Sequence, residues 1–265
     1  MEDEIMPQLK QFGVILYTLR DFVKTREDAL ATFDKVSEIG YRSVQVSGLS
    51  ADLFTEEELV QVLAERGLSI CATHESGDEI LNQTDKVIAR LKKLGVRYTA
   101  YPYPAGVDFS NDEEVDGLIE GLNQAGQKMA DAGLVLCYHN HHHEFQCSRG
   151  KAILERIYEE TDPRFLQAEI DTFWVQRGGG SPAGWLSRLK GRSPLLHLKD
   201  YRLKPDSLEA EYAEIGNGNM DFVEIVKVAE AAGCEHYIVE QDTCPGDPFD
   251  SLSQSFEYIR KNLVW

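Results

Sequence analysis

The chain has 265 residues, with 27 basic against 45 acidic side chains and a formal charge of −18. Such a balance argues against nucleic acid as a partner, because clustered Lys and Arg must neutralise its phosphates. Apolar residues at 42% and charged residues at 27% describe a globular chain with a core of its own. No stretch approaches the roughly 18 apolar residues of a membrane span. The start, MEDEIMPQLK, carries neither a basic leader nor an apolar segment, so a cytoplasmic protein is expected. Cys71, Cys137, Cys147, Cys234 and Cys244 are scattered without CxxC spacing and read as reduced thiols.

In chain order, short β-rich runs alternate with longer amphipathic segments. The predicted strands are GVILYTL (13–19), SVQVSG (43–48), SICATH (69–74), RYTAYPY (97–103), VLCYHNH (135–141), LQAEIDTF (166–173), PLLHLKD (194–200) and HYIVEQD (236–242). A helical pattern follows each. Gly40, Gly67 and Gly133 close three of these helices, and Thr55, Asp221 and Asp247-Pro248 open others. Eight βα units in succession, with no GxGxxG after the first strand, predict an α/β fold: a single (β/α)8 TIM barrel with a closed parallel sheet, one domain over 1–265. Residues 1–10 read as a leader.

Chemistry in such a barrel sits at the C-terminal ends of the strands, so polar residues there carry the functional signal. Strand five runs into His139-Asn140-His141-His142-His143-Glu144. Strand six ends in Glu169-Ile170-Asp171, strand seven in His197-Leu198-Lys199-Asp200, and strand eight in Glu240-Gln241-Asp242. Alternate residues share a face, so Glu169 pairs with Asp171, His197 with Lys199, and Glu240 with Asp242. Carboxylates converging in a pocket repel one another unless a cation joins them. The expected ligands of one divalent ion (Mn²⁺, Mg²⁺, Co²⁺ or Zn²⁺) are Glu144, Asp171, His197 and Glu240. Parity leaves open whether His139 or His141 takes the place of Glu144.

The segments GVILYTLRD, YHNHHHEF, EIDTFWV, LHLKDY, IGNGNMDF and VEQD together resemble the sugar phosphate isomerase/epimerase family of xylose isomerase-like TIM barrels, over essentially the whole chain. The resemblance implies a divalent metal on Glu144, Asp171, His197 and Glu240, and sugars, keto-sugars or cyclitols as substrates. Two positions depart from the family pattern. Ile15 stands where a Gln is frequent, and strand five carries His139, Asn140 and His141 where ketose epimerases place one of two glutamates.

The expected activity is that of a metal-dependent isomerase or epimerase, in which a polarised carbonyl acidifies the neighbouring C–H. His141 is the candidate base, Glu240 a candidate ligand and base, and Lys199 a candidate partner for a developing negative charge. Tyr17, His74, His139, Lys199, Trp174 and Arg177 are the candidate substrate-binding residues. The glycines of Gln176-Arg177-Gly178-Gly179-Gly180 are read as a backbone able to approach a ligand closely. The alternative is a 3-keto-glycoside or cyclitol lyase or dehydratase using the same acidifying step; a non-catalytic sugar-binding barrel ranks lower. An abasic-DNA endonuclease on a related barrel is disfavoured by the charge. The partner is a small carbohydrate, with neither nucleic acid nor membrane, and a homo-oligomer is compatible with the sequence.

Overall fold

The structure is a computed structural model that describes residues 9–265. Most of the expected leader therefore lies outside the described residues, while Leu9 is buried in the core. The eight barrel strands are β1 (Phe12–Ile15), β2 (Ser43–Val46), β3 (Ser69–His74), β4 (Tyr98–Tyr101), β5 (Val135–His139), β6 (Leu166–Asp171), β7 (Leu195–Leu198) and β8 (His236–Val239). Each pairs in parallel with the next, and β8 pairs with β1 through Val14↔Val239, which closes the sheet into a (β/α)8 barrel. Closure leaves no exposed barrel edge.

Strand alternation sorts the side chains into two cores. Outward-facing Val14, Val44, Leu136, Tyr138, Ile170 and Leu196 pack under the ring of helices. Inside, Ile15, Tyr98, Cys137, Leu195 and Ile238 fill the barrel, and polar residues lie above them. The helices form where caps and apolar spacing agree. Thr55 caps Glu56–Ala64 in a capping box with Glu58, Asp221 caps Phe222–Ala232, and Asp247-Pro248 opens Pro248–Asn262. No helix among the described residues is long and apolar enough to cross a membrane.

Strand one stops earlier than its β-rich sequence predicts. After Ile15 the chain turns into a 3₁₀ helix, Leu16–Phe22, which buries Leu16 and Leu19 and leaves Tyr17 at the barrel mouth. Two short hairpins, Cys147–Ser148 with Lys151–Ala152 and Asp200–Leu203 with Ala210–Ala213, are added beyond the barrel.

Candidate active site

Four adjacent strands deliver four side chains to one point at the C-terminal mouth. His139 ends β5, Asp171 ends β6, His197 lies in β7 and Glu240 directly follows β8. One ligand atom from each lies within 4.8 Å of the others, and all four residues are buried. Strand register explains the meeting, since Asp171 stands opposite His197 in the parallel ladder, and Val239, just before Glu240, stands opposite Leu198.

Two buried atoms at this point have no hydrogen-bond partner, Nε2 of His139 and Oδ2 of Asp171, and they face each other at 3.6 Å. The other atom of each group is engaged: Nδ1 of His139 lies 3.3 Å from the carbonyl of Pro102, and Oδ1 of Asp171 accepts the amide of Trp174 as a helix cap. A carbonyl only accepts, so the Nδ1 of His139 carries its proton and the Nε2 lone pair is free. Orphaned buried polar atoms are costly. A cation satisfies a free imidazole lone pair and a free carboxylate oxygen together, so the residues present fit a divalent ion.

Electrostatics agree with that fit. Burial pushes Asp171 up. Burial alone would also raise Glu240, but the Lys199 ammonium and His197 hold its carboxyl well below the usual range. Lys199 is itself buried, with Nζ 2.8 Å from Asp242, 3.3 Å from Glu240 and 3.8 Å from Asp171. Burial opposes its charge, yet these carboxylates raise it above the ordinary lysine value. Its ammonium also lies 4.9 Å from the centre of the Trp174 ring.

Below the convergence point is a second polar layer. Glu169, fully buried, accepts a hydrogen bond from Nε2 of Gln45 at 2.6 Å and lies 2.5 Å from Nε2 of His74. Oε1 of Gln45 lies 2.7 Å from Nε2 of His197, whose Nδ1 is 2.9 Å from Glu240. Burial would lower His197, but Glu169 and Glu240 raise it to about 10. Burial would raise Glu169, and the His197 and His74 imidazoles hold it well below the usual carboxylate range.

Glu144, expected as the strand-five ligand, is not among the converging groups. The chain leaves the strand at Asn140 and a 3₁₀ turn, His143–Phe145, returns Glu144 beneath the loop. There it accepts the hydroxyl of Tyr138 and the amide of His141 at 2.9 and 2.8 Å. Tyr138 alternates with His139 and faces the helices, so Glu144 sits outside the barrel wall while His139 faces in. His139, expected to bind substrate, thus stands in the position assigned to Glu144. Glu144 instead pins the backbone of His141.

Arg177 is also displaced from its expected place. It ends the helix Thr172–Arg177, is exposed, and is not part of the cavity wall. Of the glycines after it, Gly178 and Gly180 make room for the Phe145 ring, since a Cβ there would come within 2.3 or 2.8 Å of it. Trp174 backs the site, packed against His141, His142 and Lys199.

The cavity above the cluster holds about 370 Å³. Tyr17, His74, His139, His141, Lys199 and Glu240, all candidates from the sequence, line it. Ser47, Pro102 and Tyr103 also line it and were missed: the sequence reading takes them as the ends of strands two and four, but those strands stop at Val46 and Tyr101 and the three residues lie in the loops that follow. Gln45 and Glu169 are visible in the sequence as polar residues inside strands, but their pairing across 124 positions is not. His141 is held against the rings of His139, Tyr103 and His143, and burial and the neighbouring imidazoles keep it below the usual histidine range.

Comparison with known proteins places this geometry. The family model described as xylose isomerase-like TIM barrel matches residues 33–262. An inosose dehydratase of Geobacillus thermodenitrificans (strain NG80-2) is 28% identical over 215 residues, 75% of this chain and 66% of that protein, just under two thirds of its length. Among solved structures, a sugar phosphate isomerase/epimerase from Parabacteroides distasonis ATCC 8503 superposes with a TM-score of 0.80 at 23% identity, covering 95% of this chain and 93% of the other. A 3-keto-D-glucoside 4-epimerase from E. coli gives a TM-score of 0.69 at 17% identity, over 95% and 99% of the two chains. At these identities the structural likenesses speak for the fold.

Proposed function

Because the chain belongs to the xylose isomerase-like TIM barrel family, we propose that it is a divalent-cation-dependent enzyme that draws a proton from the carbon beside a carbonyl in a small sugar, keto-sugar or cyclitol. The observation that carries this reading is the meeting of His139, Asp171, His197 and Glu240 around two buried atoms with no partner. With His139 in place of Glu144, the donor set becomes two imidazoles and two carboxylates, which favours Mn²⁺, Co²⁺ or Zn²⁺ over Mg²⁺. A bound ion would polarise the carbonyl and stabilise the negative charge that forms as the proton leaves.

The chain's own residues do the rest. His141 lines the cavity as a neutral imidazole and accepts the proton. Lys199, fixed by Asp242 and Glu240, holds a substrate oxygen that gains charge. Tyr17 and Tyr103, exposed at the rim, offer ring faces to the carbon skeleton.

The preferred outcome is loss of water. The C–H electron pair forms a new double bond, the hydroxyl on the following carbon departs, and the proton collected by His141 returns to it as water forms. One residue on one face suffices, which suits a strand five that lacks the epimerase glutamate, and the similarity to an inosose dehydratase supports it. Isomerisation or epimerisation is the second reading, favoured by His74, a further cavity-lining imidazole packed against His139. It would return the proton to carbon.

The test is metal analysis of purified protein, followed by incubation of the metal-loaded enzyme with inososes, 3-keto-glycosides and ketoses in D₂O. Dehydration gives a new ultraviolet-absorbing enone or diketone; epimerisation gives deuterium at the stereocentre without loss of water. Protein that takes up no divalent ion, or turns over equally well after Glu240→Gln, would sink the proposal.

A further inference from the structure

We infer that Glu169 is a positioning residue: through Gln45 it presents Nδ1 of His197 to the cation, and directly it turns the second ring nitrogen of His74 toward the cavity. The inference rests on the functional reading above and concerns how the apparatus beneath the cation is wired.

The argument is one of donors and acceptors. An ionised carboxylate can only accept. Glu169 is completely buried, with Gln45 at 2.6 Å and His74 at 2.5 Å, and Nε2 of His197 farther off at 3.4 Å. Gln45 and His74 must therefore donate, Gln45 with its amide nitrogen and His74 with Nε2–H. Turning the amide nitrogen of Gln45 toward Glu169 leaves its carbonyl oxygen facing Nε2 of His197 at 2.7 Å. That oxygen can only accept, so Nε2 of His197 carries a proton; Nδ1 donates to Glu240 at 2.9 Å in the cation-free chain, and it is this proton that a cation would replace, with Gln45 keeping the one on Nε2. A flipped Gln45 would set two acceptors against each other, its carbonyl oxygen and the Glu169 carboxylate, and would turn its amide nitrogen onto Nε2 of His197.

His139 reaches the same result by a different route, since the carbonyl of Pro102 fixes its tautomer. Backbone suffices there because the mouth of β4 lies next to β5. His197 lies within β7, and its inner nitrogen is met by a side chain, Gln45. A charged group so deep in the barrel costs stability unless it is fully hydrogen-bonded. Glu169 meets that condition, with the Gln45 amide and the His74 imidazole within hydrogen-bond distance and His197 beside them. For His74, donation through Nε2 leaves Nδ1 as an acceptor in the cavity wall, suited to orient a substrate hydroxyl.

Two variants separate the two arms. Gln45→Met keeps the volume and removes the carbonyl that faces Nε2 of His197, leaving the contact of Glu169 with His74 in place and Glu169 3.4 Å from His197. The affinity of the apoprotein for Mn²⁺ and for Zn²⁺, measured in competition with a fluorescent chelator, should fall about 10- to 100-fold, the usual cost of losing an outer-shell partner, while His74 keeps its tautomer. Glu169→Gln has one acceptor in place of two. With that oxygen kept on Gln45, its amide nitrogen faces His74, so metal affinity should stay within about threefold while the His74 proton moves to Nδ1. Both tautomers can be read from ¹⁵N shifts of histidine-labelled protein loaded with Zn²⁺, and the wild type alone must show Nε2–H on both His74 and His197. A His197 with its proton on Nδ1, or unchanged affinity in Gln45→Met, would overturn the relay even if both variants otherwise behaved. Wild-type protein that binds neither ion would overturn the functional reading and the relay with it, so the two failures are distinct. A Gln45→Met chain that does not fold leaves the decision to the wild-type shifts.

Discussion

The two halves of the barrel mouth are built from different chemistry. Strands β1 to β4 and the loops after them supply Ile15, Tyr17, Ser47, His74, Pro102 and Tyr103 to the cavity, mostly apolar or neutral groups. Strands β5 to β8 supply every group of the convergent cluster, together with His141, Lys199 and Asp242. The second half can do this because its four strands are consecutive in the ladder. Alternation puts their inward residues side by side, and the repulsion among their carboxylates is offset by the Lys199 ammonium and by His197, with room for the proposed cation between them. The first half has no such charge to balance, so it is free to shape the space. The halves should therefore fail in different ways when altered.

The largest effect belongs to the charged half. Asp171→Asn or Glu240→Gln removes an anionic ligand and should lower turnover by at least ~10³-fold, with bound metal lost in parallel when assayed by elemental analysis. His139→Ala should do the same, whereas the sequence-based ligand Glu144 should be dispensable for metal. A variant of Glu144 that lost the ion while His139→Ala kept it would reverse the assignment. Cation binding should also appear in stability. At a free ion concentration about 100 times the dissociation constant, binding adds about 2.7 kcal/mol, which for a chain of this size raises the melting temperature by roughly 5–10 °C. Chelation should remove that increment from the wild type and change nothing in Asp171→Asn.

The sequence made the charged half more legible than the neutral one, for a physical reason. Inward-facing polar residues at strand ends break the rule that barrel interiors are apolar, so Asp171, His197 and Glu240 stand out, and parity alone aligns them. Parity ends where the strand ends. At Asn140 the HNHHHEF run leaves the ladder, and Glu144 cannot be placed by counting; its position follows from Tyr138, whose hydroxyl lies on the outer face. The β-rich LYTL was read as strand although it forms the 3₁₀ turn that lifts Tyr17 to the rim. Arg177 reads as a substrate-binding residue and the glycines after it as a backbone able to approach a ligand, but Arg177 is exposed away from the cavity, and Gly178 and Gly180 admit the Phe145 ring. Pairings such as Gln45 with Glu169 depend on closure of the whole sheet and have no local signature.

Glu144 sharpens the comparison from another side, because it is a buried acid in the charged half that lies outside the cluster. Burial raises its carboxyl from 4.5 to about 7. The folded chain therefore keeps this proton at pH values where the unfolded chain has lost it. Its contribution to stability is complete below the unfolded value and is lost as pH rises through the folded one, over a window of pH 4.5 to about 7. Glu144→Gln should abolish that dependence. Urea unfolding should show the variant gaining on the order of 1 kcal/mol on the wild type at about pH 8, and nothing at about pH 4. A variant less stable at both values would mean that the ionised carboxylate is needed to hold the amide of His141.

The smallest effect is expected in the neutral half. Tyr103 is 51% exposed and Tyr17 40% exposed, and neither donates a ligand to the cluster. Tyr103 stands edge-on to His141 and His143, and Tyr17 lies under the guanidinium of Arg20. An aromatic face against a sugar's carbons is worth about 1 kcal/mol, or roughly fivefold in affinity. Tyr17→Ala should thus raise KM about fivefold with kcat and bound metal unchanged, since the interaction is the same before and during the chemical step. Tyr103→Ala offers the stricter trial, because it also frees one side of the His141 ring. If Tyr103 only shapes the cavity, its variant will match Tyr17→Ala; a drop in kcat as well would show that the neutral half holds the proton-accepting imidazole in place, and the division between the halves would then end at that ring.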